Sequence, residues 1–420
     1  MELAPPRGTD DLLPPRSDAM LGLYEGAHAA AALRGFRYVE TPTFEHTELF
    51  ARTAGDTSDV VTKEMYTFED QGGRSMTLRP ESTAAVVRAY LANAHDLGTA
   101  FRGYYVHTNF RHARPQAGRL REFRVFGAEI LGSPAPAADV EVIATADAFL
   151  RGIGLTRQVL HLNSIGDAAC RPTYREALVA HLRPHAGDFD EDCRNRLEAN
   201  PMRVLDCKVD GEHPAVRSAP AITDHLCEAC REHLDDVRAG LDAAGVAWEA
   251  DPRLVRGLDY YTRTAFEFVT PSLPAGQSTI CGGGRYDGLA EVLGGAATPG
   301  VGFGMGLDRV LIAMESEGLA WPRPRAPRCF VVAVGEGARA AAAGLLADLR
   351  AAGVAATAAL EDRPVKAQFK MADRAGAAVA AILGERELAE GTVTLHRLDD
   401  GSERTVPRAE AVRAIAGEDR

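Results

Sequence analysis

Six arginines crowd residues 101–128: Arg102, Arg111, Arg114, Arg119, Arg121 and Arg124. One acid, Glu122, stands against them, so the segment carries +5 in a chain whose net charge is -12. The absence of lysine suits forked recognition of phosphate or carboxylate; the competing reading is a solvated hairpin. A second group lies in LVRGLDYYTRTAFE (254–267), where Arg256, Asp259, Tyr260 and Tyr261 fall together. A cation and two phenols could orient a small polar ligand, although adjacent tyrosines also arise as one core and one surface residue. The third is GVGFGMGLDRV, with glycines at 300, 302, 304 and 306 and Arg309 following. Such a stripe leaves one sheet face bare for a flat ligand, or merely allows tight helix–sheet packing. It lacks the Lys-Ser/Thr of a Walker A loop and stands outside a βαβ unit.

Two further groups carry less. Lys366, Lys370 and Arg374 recur every fourth residue and so share one helix face. Val365, Phe369, Ala372 and Gly376 are expected on the buried face. A basic stripe fits a nucleic-acid contact, but residues 326–420 balance 13 basic against 14 acidic side chains, so a plain solvated face is an equal reading. His225-x-Cys227-x-x-Cys230-x-x-His233 invites a zinc reading. All four fall on one expected helix, which wraps a tetrahedron poorly, and no second CxxC is present. Packing of the helix is preferred, and no metal is assigned. Neither G-x-S-x-G nor HExxH occurs, which leaves hydrolase readings without support.

The elements that must position these residues follow from periodicity. Residues 18–35 read as a helix stopped by Gly35, and FRYVETPTF (36–44) as a strand that Pro42 places at an edge. A helix is expected over roughly 82–94, capped by Ser82 or Thr83. GYYVHTNFRH (103–112) and EFRVFGAEIL (122–131) form an antiparallel strand–loop–strand unit around RPQAGRLR. A helix over 139–152 comes next, and residues 167–245 read as a helical insertion. Strands resume with YYTRTAFEFV; GGGRYDGL (282–289) reads as a turn, and the glycine stripe as a strand entering a helix. WPRPRAPR (321–328) marks a domain boundary. Beyond it strands and helices alternate as in a small α/β domain. The expected domains are 1–325 and 326–420.

A chain of 420 residues is long enough for two or three domains. Its net negative charge confines any polyanion contact to local basic patches. No apolar run reaches the roughly 20 residues of a membrane span, and the N-terminus does not read as a secretory signal. The seven scattered cysteines suit a reducing cytoplasm better than a disulfide framework. A cytoplasmic protein without membrane partners is expected.

Taken together, the motifs resemble the class II histidyl-tRNA synthetases over essentially the whole chain. PRGTDDLLP is similar to that family's N-terminal signature, and GFRYVETPTFEHTELFAR to the first class II motif. NFRHARPQAGRLREF resembles the second motif and GFGMGLDR the third. LVRGLDYYTRTAFE and GGGRYDGL resemble peptides particular to histidyl enzymes, and KAQFKMADRAGA the anticodon-binding domain. The resemblance implies an α+β fold: an antiparallel class II sheet of six or seven strands flanked by helices, a helical insertion and a C-terminal α/β anticodon-binding domain. It implies a homodimer acting on histidine, ATP with Mg²⁺, and histidine tRNA. Arg111 would hold the α-phosphate and Arg309 the γ-phosphate of ATP; Arg256 would sit between the α-phosphate and the histidine carboxylate. Glu81 and Thr83 would take the α-amino group. Glu129 and Tyr261 would meet the imidazole, with Tyr260 beside them. Arg114, Gln116, Arg119 and Arg121 would meet the tRNA acceptor end, and the stripe Lys366, Lys370 and Arg374 the tRNA as well.

The chain departs from the family pattern at two positions. Ser82 replaces a glycine, and Val125 stands where a glutamine commonly helps hold the amino group. One lost hydrogen bond costs about 1 kcal/mol. Two other readings stay open: a synthetase-like paralogue activating an amino acid for a non-tRNA acceptor, which Val125 favours, and a regulatory subunit of histidine biosynthesis. The retained arginines and C-terminal domain oppose the latter.

Overall fold

The computed structural model describes residues 3–54, 64–115, 118–207, 209–258, 260–321, 326–335 and 337–417. Asp259, Gln116 and residues 322–325 of the Pro-rich 321–328 segment lie outside them. Contacts divide the chain into two units, 1–322 and 323–420.

The first unit has eleven described strands: β1 (Arg37–Tyr38), β2 (Phe44–His46), β3 (Tyr66–Glu69), β4 (Ser75–Leu78), β5 (Phe101–Phe110), β6 (Glu122–Leu131), β7 (Val159–Ser164), β8 (Glu249–Ala250), β9 (Thr262–Val269), β10 (Thr279–Arg285) and β11 (Gly300–Gly306). Eight make one sheet in the order β1-β5-β6-β11-β10-β9-β7-β8; β2, β4 and β3 make a small one. The large sheet is antiparallel from β5 through β7. Its two short edge strands run parallel to their neighbours, so it is a mixed sheet of eight strands. The expected strand 36–44 is broken: Arg37–Tyr38 joins the large sheet and Phe44 starts the small one, with Pro42 between them. Helices Arg16–Ala32 and Pro136–Gly152 pack on the sheet through Leu23, Ala27, Val142 and Phe149. Phe126 of β6 holds Phe149 and Phe303 edge-on, each at 5.2 Å between ring centres.

GGGRYDGL is not a turn as far as Arg285: residues 282–285 are the end of β10. The glycines are needed there because a Cβ on Gly283 would lie 2.2 Å from Gly302 O, and one on Gly282 2.5 Å from Arg256 Nη2. Between β7 and β8 the chain is helical, including Arg171–Leu182, Glu191–Ala199 and Glu228–Ala243. Cys193 and Cys207 are joined as a disulfide there, a single bridge and not a disulfide framework. The helix Glu191–Ala199 and the turn after it bring these two buried sulfurs together, whereas Cys170, Cys227, Cys230 and Cys281 keep free thiols.

The second unit has β12 (Cys329–Ala333), β13 (Ala356–Ala358), β14 (Val379–Leu383), β15 (Thr392–Arg397) and β16 (Glu403–Pro407), ordered β13-β12-β14-β15-β16. The first three are parallel, and the hairpin β15–β16 extends the sheet antiparallel. In helix Val365–Ala375 the buried residues are Gln368 and Ala372, not Val365 and Gly376. Gln368 is spent on backbone: its amide bridges Ala333 N and O, at 3.1 and 2.8 Å, at the end of β12. No helix among the described residues is long and apolar enough to cross a membrane.

Candidate active site

A cavity of about 390 Å³ opens on the face of the large sheet where β6, β10 and β11 meet the start of helix Thr83–Leu97. Alternation on antiparallel strands delivers its side chains, and Arg111, Arg119, Arg256 and Arg309 all reach it. Arg111, just past β5, donates from Nε to Pro80 O at 2.7 Å and lays its guanidinium over Phe123. Arg309, in the first turn of helix Leu307–Ser316, donates to Gly118 O and Thr279 O. Burial lowers the pKa of both arginines, and Arg309 is pulled down further by Arg119 and Arg111. Crowded cations of this kind make a site for a polyanion.

Arg256 lies flat against Gly282 and over the Tyr261 ring, paired with Glu267. Burial disfavours its charge, and Glu267 with the two tyrosines more than offsets this, so it stays a cation. Its buried Nε has no hydrogen-bond partner among the described residues. Tyr260 and Tyr261 both line the cavity, 4.6 Å apart between ring centres.

At the opposite wall Glu81, and neither Ser82 nor Thr83, caps helix Thr83–Leu97. Its carboxylate accepts from Thr83 N at 2.7 Å and Ala84 N at 3.0 Å. The hydroxyl of Thr83 donates to Glu129 at 2.9 Å, which leaves its oxygen facing the cavity as an acceptor. Glu129 itself is fully buried, one layer behind. It accepts from Thr83, from Tyr105 at 3.0 Å and from Tyr286. Burial pushes its pKa up to about 7, and the three hydroxyls only moderate the rise.

Only half of the glycine stripe is bare. Gly304 and Gly306 line the cavity, while Glu129 covers Gly302 and the Tyr286 ring covers Gly300. Val125 lines the cavity beside Gly306 and packs with Val86 and Tyr105. Ser82 donates to Asn109 at 3.0 Å and sits 3.2 Å from His107 Nδ1, so its hydroxyl is absorbed by a polar cluster next to Val125. Periodicity in β5 could have flagged Tyr105 and Asn109. Tyr286 and Glu267 lie within GGGRYDGL and LVRGLDYYTRTAFE, but no local pattern marks what they bind, because their partners are distant in sequence.

The loop residues do not form one surface. Arg114 is exposed, but Arg119 turns into the cavity and pairs with Glu64 at 2.6 Å. Arg121 folds back onto Ala113 O and Arg7 O. Lys366, Lys370 and Arg374 are exposed together on their helix. The four side chains of the His225–His233 motif do not converge on one point. His233 Nε2 lies 3.4 Å from buried Asp139, and His225 leans on Tyr174. Cys227 only precedes helix Glu228–Ala243.

Two family models match the chain: Histidyl-tRNA synthetase over residues 8–310 and Anticodon binding domain over 328–418. The chain is 49% identical over 408 residues to the histidine–tRNA ligase of Moorella thermoacetica, covering 97% of this chain and 96% of that one. It is 47% identical over 404 residues to that of Anoxybacillus flavithermus, covering 96% of each. The apo crystal structure of S. aureus histidyl-tRNA synthetase superposes with a TM-score of 0.82 at 36% identity, over 99% of this chain and 100% of that one. With the family model matching residues 8–310 and nearly all of its length aligned to those proteins, the chain belongs to the histidyl-tRNA synthetase family.

Proposed function

We propose that this protein joins histidine to its tRNA in two steps, with ATP as substrate. The histidine carboxylate attacks the α-phosphorus of ATP and expels pyrophosphate. The 3′-terminal hydroxyl of the tRNA then attacks the carbonyl carbon of the adenylate and expels AMP. The observation that carries this reading is the set of cations facing one another across the cavity. The first step brings a carboxylate against a phosphate, so catalysis needs positive charge around phosphorus more than a protein nucleophile.

Arg111 takes the α-phosphate and Arg309 the γ-phosphate. Arg256 bridges the α-phosphate and the incoming carboxylate, where its unpartnered Nε gains an acceptor. Glu81 and the Thr83 hydroxyl oxygen accept from the α-ammonium group, with Val125 as an apolar wall that adds no hydrogen bond. Tyr261 and Glu129, with Tyr260 beside them, hold the imidazole, Glu129 exchanging one hydroxyl partner for a ring nitrogen. A site built from such polar groups rejects side chains that leave them unpaired by factors on the order of 10⁴.

Mg²⁺ usually binds through one or two carboxylates plus substrate phosphates. Glu267 is engaged by Arg256 at one oxygen and by Thr279 at the other, so the ATP phosphates would hold the ion, which when bound spreads the charge of the departing pyrophosphate.

Residues 1–325 act as the catalytic domain and 326–420 as the anticodon-binding domain. Arg114 and Gln116 meet the acceptor end, Arg119 and Arg121 support that loop from within, and Lys366, Lys370 and Arg374 meet phosphates. The protein acts in the cytoplasm as a homodimer. The exposed rings of Tyr38, Phe44 and Phe68, on β1 and the small sheet, support that assembly. Charging of histidine tRNA with labelled histidine, ATP and Mg²⁺ tests the reading. Charging is expected; adenylate formation without charging would instead identify a non-tRNA acceptor, and neither would leave the regulatory reading.

A further inference from the structure

Two short segments, 57 residues apart, meet at one point of the helical insertion. Asp167-x-x-Cys170 leads into helix Arg171–Leu182, and Cys227-x-x-Cys230 leads into helix Glu228–Ala243. One carboxylate oxygen and the three sulfurs all lie within 4.8 Å of one another. The Cys227 amide donates to Cys170 Sγ at 3.3 Å, and Cys170 Sγ lies 3.2 Å from Asp167 Oδ1. All three thiols are free, and Cys170 and Cys230 are buried. A protein gains nothing in packing by gathering three thiols and a carboxylate, which repel one another once ionised.

We propose that Asp167, Cys170, Cys227 and Cys230 bind one structural Zn²⁺. Zn–S bonds of about 2.3 Å put tetrahedral ligands roughly 3.8 Å apart, so the cluster needs to contract by only about 1 Å. Two x-x-spaced pairs from separate segments supply the four directions that a single helix cannot. Three soft thiolates with one carboxylate select zinc over the hard cations Mg²⁺ and Ca²⁺. The four ligands close the coordination sphere, which makes the site structural and not catalytic. It would clamp the starts of two insertion helices to β9, which begins directly after the two tyrosines. Arg263, two residues after Tyr261, exchanges backbone hydrogen bonds of 2.7 Å with Ile165 and Gly166 and faces Asp167 at 3.6 Å. The other Cys/Asp cluster, around Cys193 and Cys207, has its sulfurs bonded to each other and is not such a site.

Metal analysis of the full-length protein, purified reduced and without chelator, tests this directly. About one zinc per chain is expected. Stripped protein titrated with Co²⁺ should show thiolate-to-cobalt charge-transfer absorbance and tetrahedral d–d bands, saturating at about one equivalent and displaced by Zn²⁺. Cys227→Ser should abolish the cobalt bands, while His225→Ala should keep them. The proposal is overturned by protein that carries no zinc and gives no cobalt spectrum. It is also overturned by bound iron in place of zinc, or by a Cys170–Cys227 disulfide in freshly reduced protein. The wild-type titration needs no variant, so a misfolded Cys227→Ser leaves the test intact.

Discussion

Arg256 and Glu129 show how one residue's surroundings set its use. Arg256 is held flat on a glycine, charged by Glu267, with one donor unspent. Arg256→Ala should lower the rate of adenylate formation by about 10²–10³, the usual cost of one preorganised donor at developing charge. ATP–pyrophosphate exchange measures this, and a rate near wild type would remove Arg256 from the chemistry. Glu129 has a pKa lifted from 4.5 to about 7 by burial. The folded state therefore holds its proton more tightly than the unfolded chain does. The stability this contributes is complete below about pH 4.5 and is lost as pH rises through 7. Relative to Glu129→Gln, wild-type stability should fall by about 3 kcal/mol between these limits. Urea denaturation at a series of pH values reads the difference; parallel profiles would mean that the burial penalty is already compensated. The identities of both residues were legible from motif resemblance. Their partners were not, since Glu267 and Tyr105 arrive from other strands and Tyr286 from the turn after β10.

Among elements, β10 was the hardest to read. A run of three glycines followed by Arg-Tyr-Asp-Gly looks like a turn, because glycine has weak strand preference. The strand forms because its neighbours need room: Arg256 and Phe303 press on positions that tolerate no Cβ. Its last residue, Arg285, is wholly buried and bound to Asp139, Asp287 and the carbonyls of Ser133 and Ala135. That pair ties β10 to helix Pro136–Gly152. Arg285→Met should destabilise the fold by about 3–5 kcal/mol, since it strands a buried carboxylate. Adding Asp139→Asn should recover part of the loss; denaturation midpoints compare the two, and additive losses would show that the pair is not coupled. The long strands β5 and β6 were readable within a few residues, because two runs rich in aromatic and β-branched residues flank a loop with Pro115 and Gly118.

For the whole molecule, the proposed function assigns activation to the first unit and tRNA recognition to the second. Replacing Lys366, Lys370 and Arg374 together by alanine should raise KM for tRNA about tenfold and lower the salt dependence of tRNA binding by roughly 2–3 in log–log slope. Charging and filter binding across salt concentrations measure this, and an unchanged slope would return the stripe to an ordinary solvated face. The sequence alone determined the α+β class, the position of the long strands and most helices, and the motif residues that gather at the cavity, because these rest on local periodicity and on ordered peptides. Only tertiary structure decided the eight-stranded order with parallel edges, the burial of Glu129 behind Thr83, the inward turn of Arg119, the folding of Arg121 back onto Ala113 and Arg7, and the gathering of Asp167 and Cys170, not the two histidines, around Cys227 and Cys230. Each depends on contacts between residues tens to hundreds of positions apart, and a side chain's direction is set by the partner that satisfies it, which no local pattern encodes.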